Sequence, residues 1–117
     1  MKKKIFCFDI DNVICKTVSS DYKKSKPNKK VIKAINLLYK KNHIIKIFTA
    51  RYMGRNNENS TLVKKKFNNE ASKYLKKWGL NYHYLIMGKP TYDVFVDDKN
   101  FLFKKNWLDS FIKKYLK

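Results

Sequence analysis

Short apolar runs alternate with longer amphipathic stretches along this chain. Apolar residues dominate 4–8, 44–49 and 82–87, and polar residues bound each run, which is the pattern of short buried strands. A shorter run at 94–96 predicts a fourth strand. Apolar residues recur at helical spacing over 28–41, over 62–78 before Gly79, and over 107–116, so each of these stretches predicts a helix. The polar stretches 16–30 and 51–60 predict two mobile loops without apolar anchors.

The order of these elements decides the fold class. It reads strand, helix, strand, helix, strand, strand, helix over a chain of 117 residues, which is the length of one domain. Helical crossovers between apolar strands indicate a mainly parallel sheet with helices on both faces. We therefore expect an α/β fold, a Rossmann-like three-layer α/β/α sandwich, as a single domain over residues 1–117.

Composition bears on the cellular compartment of this domain. No apolar run approaches the ~20 residues of a membrane span, so we expect no membrane partner. The apolar run after the basic start breaks at Asp9, too early for a secretory signal. Cys7 and Cys15 flank the first polar cluster, and a reduced, cytoplasmic protein is the simplest interpretation of two isolated cysteines.

The formal net charge of +19 raises the question of whether the protein binds nucleic acid. Almost all of the positive charge comes from lysines scattered along the whole chain, and Gly and Pro are scarce. This is the residue usage of an AT-rich genome. The pattern favours a solvated lysine coat, with a nucleic-acid surface and an acidic or phosphorylated partner as the alternatives.

Polar residues that could bind a ligand or act in catalysis follow the predicted strands. Asp9 and Asp11 follow the first strand, Thr49 ends the second, Lys89 follows the third, and Asp97-Asp98 follows the fourth. The carboxyl ends of parallel strands lie at one edge of a sheet, where α/β proteins bind ligands. Carboxylates gathered there repel each other and need a metal, a shared proton or a catalytic role. Taken singly, each is a weak signal, because Lys89 is also typical of a surface lysine, Thr49 of a helix cap and Asp97-Asp98 of a turn.

Taken in this order, the residues resemble the four motifs of the haloacid dehalogenase superfamily of phosphatases. Those motifs are Asp-x-Asp, a Thr or Ser, a Lys and an acidic pair, and the resemblance spans about residues 4–100. The stretches Phe48-Thr49-Ala50-Arg51 and Met87-Gly88-Lys89-Pro90 are similar to small capless members associated with capsule and surface-polysaccharide biosynthesis. Many members place Gly-Thr after the second aspartate, where this chain has Asn12-Val13.

The resemblance implies roles for the motif residues. Asp9 would attack phosphorus and form an aspartyl phosphate. Asp11 would protonate the leaving oxygen and then deprotonate the attacking water. Thr49, with the amide of Ala50, would hold a phosphoryl oxygen, and Lys89 would neutralise developing charge. These implications predict an enzyme, a phosphoric monoester hydrolase, with Asp9, Asp11, Thr49 and Lys89 as its catalytic residues.

The same resemblance implies a metal and a substrate-binding set. Mg²⁺ would be held by Asp9, the main-chain carbonyl of Asp11, and the pair Asp97 and Asp98. The expected substrate-binding residues are Ile10, Asn12, Ala50 and Arg51. Arg51 would lie at the mouth of the site and grip a second anionic group of the substrate.

The gaps between the motifs leave no room for a cap domain. Each gap is already filled by one loop and one helix, the second also by a strand, so we expect an open site that a second copy of the chain can cover. A sugar phosphate or related small metabolite is the expected substrate. The alternatives are a nucleic-acid 3′-end phosphatase or nucleotidase of the same superfamily, a non-catalytic phosphate-binding module, a receiver domain, and a lysine-rich α/β domain without phosphatase chemistry.

Overall fold

A parallel three-stranded sheet lies at the centre of the computed structural model, which describes residues 2–117. The strands are β1 (Ile5–Phe8), β2 (Cys15–Lys16), β3 (Lys26–Pro27), β4 (Ile44–Thr49) and β5 (Tyr84–Met87), and the helices are α1 (Lys29–Lys40), α2 (Ser60–Lys77) and α3 (Trp107–Tyr115). The main sheet has the order β1-β4-β5 with parallel pairing throughout, while β2 and β3 form a separate antiparallel hairpin. The predicted α/β class with a mainly parallel, helix-flanked sheet is confirmed.

One face of the sheet carries the core. Alternate strand residues point to the same face, so Phe6 and Phe8 of β1 share it with Ile45 and Ile47 of β4. All four are buried against α1, the end of α2 and Phe111 of α3. The burial of these apolar side chains is the main stabilising term, and it fixes the register that brings the strand ends together.

The helices begin where the sequence supplies a capping side chain. Asn28 accepts a hydrogen bond from the N–H of Val31 at the start of α1, and Asn59 accepts from Leu62 at the start of α2. No helix among residues 2–117 is long and apolar enough to cross a membrane.

Two expectations about irregular segments are wrong. The segment 94–96 forms no strand, and Val94 and Val96 are exposed. The ring of Phe95 stacks on Tyr92 at 4.9 Å between centroids, and the ammonium of Lys89 lies 4.9 Å from the Phe95 centroid. These local contacts hold the segment as a loop, so β1 remains an edge strand of the sheet.

The second wrong expectation concerns the polar stretches, which do have apolar anchors. Tyr52 and Met53 are buried within 51–60, and Tyr52 stacks on Phe67 of α2 at 4.3 Å. Tyr22 packs edge-on against Tyr52 at 4.8 Å, which ties the stretch 16–30 to the same cluster. Both stretches are therefore packed onto the fold, and 16–30 contains most of the β2–β3 hairpin.

His43 provides a pH-dependent contribution to stability. It is buried in the turn before β4, where its Nδ1 accepts a hydrogen bond from the N–H of Lys4 at 3.0 Å. Burial lowers the pKa of His43 below its ordinary value, and the positive charges of Lys41 and Lys4 act in the same direction. The folded state therefore favours the neutral imidazole.

We expect the free energy of unfolding to fall as the pH drops below about 6.5, because the unfolded chain then binds a proton that the folded chain resists. Above that pH both states hold neutral His43 and its contribution is fully present. Urea unfolding between neutral and mildly acidic pH measures the slope. In His43→Asn, whose amide oxygen can still accept from Lys4 but does not titrate, the slope should be smaller; an unchanged slope would assign it to other groups.

Candidate active site

Asp9 stands immediately after β1, at the carboxyl edge of the sheet. Its Oδ1 accepts a hydrogen bond from the N–H of Ile10 at 2.7 Å, and its Oδ2 lies 3.6 Å from Nζ of Lys89. Burial raises the pKa of Asp9 above its ordinary value, although the charge of Lys89 and the hydrogen bond from Ile10 oppose the rise. Asp9 is thus a partly buried carboxylate with one oxygen fixed and the other facing a cation.

A tight turn separates the two aspartates. The carbonyl of Ile10 accepts from the N–H groups of Val13 at 3.2 Å and Ile14 at 2.9 Å. Asn12 has a φ of 65°, a left-handed conformation that asparagine adopts more readily than most residues. Its side chain accepts a hydrogen bond from the N–H of Thr17 at 3.2 Å, which closes the turn. The turn buries Ile10, leaves Asn12 exposed and carries Asp11 away from Asp9 toward the hairpin.

Asp11 forms an ion pair with Arg51. Nε of Arg51 donates to both carboxylate oxygens of Asp11, at 3.1 and 3.0 Å, and Nη2 lies 3.0 Å from Oδ1. The hydroxyl of Thr17 donates to the same Oδ1 at 2.5 Å. Oδ1 therefore accepts from several donors, while Oδ2 accepts a single hydrogen bond, from Nε of Arg51.

The guanidinium of Arg51 is fully buried, with a side-chain exposure of 0%. Its Cζ lies 4.6 Å from the ring centroid of Tyr22, 5.4 Å from that of Tyr74 and 5.7 Å from that of Trp78. Burial acts to lower the pKa of Arg51, but the hydrogen bonds and charge of Asp11 outweigh it, so the pKa lies above the ordinary value. Aromatic rings thus surround a cation whose charge is balanced by one carboxylate.

This burial corrects the expectation that Arg51 lies at the mouth of the site. A side chain with no exposed surface and both oxygens of Asp11 as partners is not placed to grip a substrate anion. The sequence suggested a mouth position because Arg51 follows a strand end, but the aromatic residues that enclose it come from distant parts of the chain.

Sequence reasoning missed two hydroxyls in this cluster. Ser25 of the loop before β3 accepts from Nη2 of Arg51 at 2.9 Å, and its Oγ lies 2.6 Å from the hydroxyl of Thr17. Cys15 is also buried here, with its Sγ 3.6 Å from Nη2 of Arg51. Serine and threonine in a polar stretch carry no distinguishing signal, and only the antiparallel pairing of β2 with β3 brings them together.

Thr49 connects the two halves of the site. It is buried at the end of β4, and its hydroxyl accepts from the N–H of Arg51 at 3.0 Å. Its carbonyl accepts from the N–H of Lys89 at 3.1 Å. Ala50 begins the following turn and is half-buried, with its carbonyl accepting from Met53.

Lys89 enters the site from the end of β5. Gly88 precedes it with a φ of 92°, and a Cβ there would lie 3.0 Å from the Cβ of Ser60, so glycine is required. Burial acts to lower the pKa of Lys89, but a hydrogen bond with Tyr92 and the charge of Asp9 outweigh it and raise the pKa. Lys89 is therefore a protonated, largely buried partner of Asp9.

The acidic pair does not join this cluster. Asp97 and Asp98 lie in an exposed turn, where Oδ1 of Asp97 accepts from the N–H of Lys99 at 3.0 Å. That hydrogen bond, with one from Asp98, lowers the pKa of Asp97. The pair follows a loop and not the predicted strand at 94–96. Within residues 2–117, no three or more acidic, histidine or cysteine side chains are grouped as metal ligands.

Comparisons with known proteins support the fold alone. No family model and no curated protein matches the chain. The crystal structure of a structural-genomics (MCSG) target from Vibrio cholerae is similar, with a TM-score of 0.75 at 21% sequence identity. The match covers 95% of this chain and 98% of that one.

A double-mutant cycle on Asp11 and Arg51 tests the ion pair. Asp11→Asn leaves a buried guanidinium without its counter-charge and should lower the free energy of unfolding by about 3 kcal/mol. Arg51→Met should cost less, because Asp11 keeps some exposure to water, and the double variant should recover part of the Asp11→Asn loss. Chemical denaturation of the four proteins measures the coupling. Strictly additive losses would contradict the pair.

Proposed function

We propose that the chain is a phosphomonoester hydrolase that acts through an aspartyl phosphate on Asp9. The observation that carries the proposal is the pairing of Asp9 with Lys89 at 3.6 Å, at the edge of a parallel sheet, with a second carboxylate on the adjoining turn. The sequence order of these residues, which resembles that of haloacid dehalogenase superfamily phosphatases, supports the same reaction.

In the proposed reaction, a carboxylate oxygen of Asp9 attacks phosphorus while the bond to the leaving oxygen breaks. Lys89 would offset the negative charge that nucleophile and phosphate bring together. Asp11 would give a proton to the leaving oxygen and later accept one from the water that hydrolyses the aspartyl phosphate. Oδ2 of Asp11 is the atom suited to this transfer, since it accepts only from Nε of Arg51, while Oδ1 also accepts from Thr17 and from Nη2 of Arg51.

Arg51 takes a different part in this proposal from the one its position in the sequence suggested. Its guanidinium donates hydrogen bonds to Asp11 and Ser25, and its main-chain N–H donates to the hydroxyl of Thr49. We assign it as a positioning residue that holds the Asp11 carboxylate in one orientation, and not as a contact of the substrate.

The substrate class is part of the proposal. The narrower resemblance favours a sugar phosphate or related small metabolite, which would reach Asp9 without crossing a cap domain. A nucleic-acid end phosphatase is the second candidate, favoured by a groove lined with lysines beside α1. Turnover of a 3′-phosphorylated oligonucleotide, measured beside a sugar phosphate panel at near-physiological salt, separates the two by kcat/KM.

Asp9→Asn should abolish turnover of an aryl phosphate while the fold stays intact, because the amide is a poor nucleophile. Asp93→Asn is the matched control, since Asp93 is exposed and lies outside the cluster. Steady-state rates and circular dichroism of both variants provide the test. If Asp9→Asn keeps more than about a tenth of the wild-type rate, a barrier change of only ~1.4 kcal/mol, Asp9 is not the nucleophile.

Chelation tests the metal separately. Sequence predicts Mg²⁺, and we expect excess EDTA to remove aryl phosphatase activity and Mg²⁺ to restore it. If residues 94–98 move toward Asp9 on metal binding, Asp97→Asn or Asp98→Asn should raise the Mg²⁺ concentration needed for half-maximal rate, while Asp93→Asn should not. If metal-free protein in EDTA turns over at the full rate, the reaction does not use Mg²⁺. The roles of Asp9 and Lys89 would then still be tested by their own variants.

A further inference from the structure

A large cavity lies beside α1, and neither Asp9 nor Lys89 lines it. Its volume is about 1080 Å³, and it is an open groove between α1, the β3 strand and the turn that follows α2. None of the four catalytic candidates lines it. Its chemical character comes from four lysines, from the rings of Tyr39 and Trp78, and from Asn36.

The charges of this groove are of one sign. Lys29, Lys33, Lys40 and Lys77 line it and no acidic residue does. Helix α1 contains no acidic residue anywhere along its length. Three of the lysines lie on α1, and the first and last of these are separated by roughly 16 Å at 1.5 Å per residue. A row of cations of that length suits a chain of anionic groups better than a single phosphate.

Aromatic and apolar surface accompanies the lysines. The ring of Tyr39 stacks on His83 at 4.6 Å between centroids, and Trp78 packs against Tyr74 at 5.9 Å. Both rings are thereby held in place before any ligand arrives. Asn36 fixes the floor of the groove by donating to the carbonyl of Gly79 at 2.9 Å and accepting from an N–H of the same turn at 2.8 Å.

We propose that this groove, lined by lysines along α1 and by Tyr39 and Trp78, binds single-stranded nucleic acid. The backbone phosphates would follow the lysine row and bases would stack on the aromatic rings. A second copy of this chain is a poor occupant, because each copy carries a net charge of +19. An acidic polymer without rings would use the lysines and leave Trp78 and Tyr39 unexplained.

The position of the groove gives this binding a connection to the candidate active site. Ser25 and Trp78 both line the groove and both contact the guanidinium of Arg51, which holds Asp11. A nucleic-acid strand in the groove would therefore be separated from the Asp11 carboxylate by a groove residue, Ser25 or Trp78, and by Arg51. Binding itself requires no catalysis, so it stands or falls independently of the proposed hydrolase reaction.

Fluorescence of Trp78 provides a direct test. The chain has two tryptophans, and Trp107→Phe leaves Trp78 as the only one. Oligothymidylate of about 12 nucleotides is titrated at near-physiological salt. We expect quenching that saturates, and a Kd that rises about tenfold when Lys33→Gln and Lys40→Gln are combined. The logarithmic salt slope should become shallower by about 1.4, since each lost phosphate contact removes ~0.7 for a single strand.

The control exchanges two exposed lysines of α2 that lie outside the groove, Lys65→Gln with Lys73→Gln. It removes the same charge and should change Kd by less than about twofold. Equal weakening by both pairs would assign binding to the general lysine coat and overturn the proposal. So would the absence of binding, or inorganic polyphosphate of matched charge that binds as tightly and quenches Trp78 to the same extent.

Discussion

The buried guanidinium of Arg51 is the constraint on which the site depends. A cation removed from water is stable only where a counter-charge and hydrogen-bond acceptors replace its hydration. Asp11 supplies the charge, Ser25 supplies an acceptor, and three rings from two separate parts of the chain enclose it. The hairpin, the turn after β1 and helix α2 must all be in place for this to happen. The ion pair therefore links the folding of the hairpin to the orientation of one carboxylate.

Two cations offset the electrostatic repulsion between the neighbouring carboxylates of Asp9 and Asp11. Each carboxylate has its own cation, with Asp9 facing Lys89 and Asp11 facing Arg51. The two pairs are both supported by Thr49, because its carbonyl accepts from the N–H of Lys89 and its hydroxyl accepts from the N–H of Arg51. Charge balance at the strand ends is thus achieved within the protein. A phosphate that approached Asp9 would compete for Lys89, which is the cation with the looser contact.

Prediction from sequence succeeded where a local pattern decides the outcome. The apolar run 44–49 is the strand Ile44–Thr49, and helix α1 starts at its asparagine cap. It failed at 94–96, where three apolar residues predict a strand but contacts of Phe95 with the nearby Tyr92 and Lys89 hold a loop. The positions of Asp9 and Lys89 followed from strand ends, while the burial of Arg51 depends on Tyr22, Tyr74 and Trp78. Helical spacing places Tyr74 and Trp78 on one face of α2, but no spacing rule brings Tyr22 to them.

Lysines and carboxylates are distributed differently, and this difference matters for any ligand. The chain has 28 Lys and Arg but only 9 Asp and Glu, so cationic side chains outnumber anionic ones about three to one. The two carboxylates at the strand ends are already paired, and the groove beside α1 has none among its lining residues. An anion thus meets attraction over much of the protein, and long-range charge cannot select one site. Selectivity must come from short-range features, which are the Asp9–Lys89 pair at one place and the aromatic rings at the other.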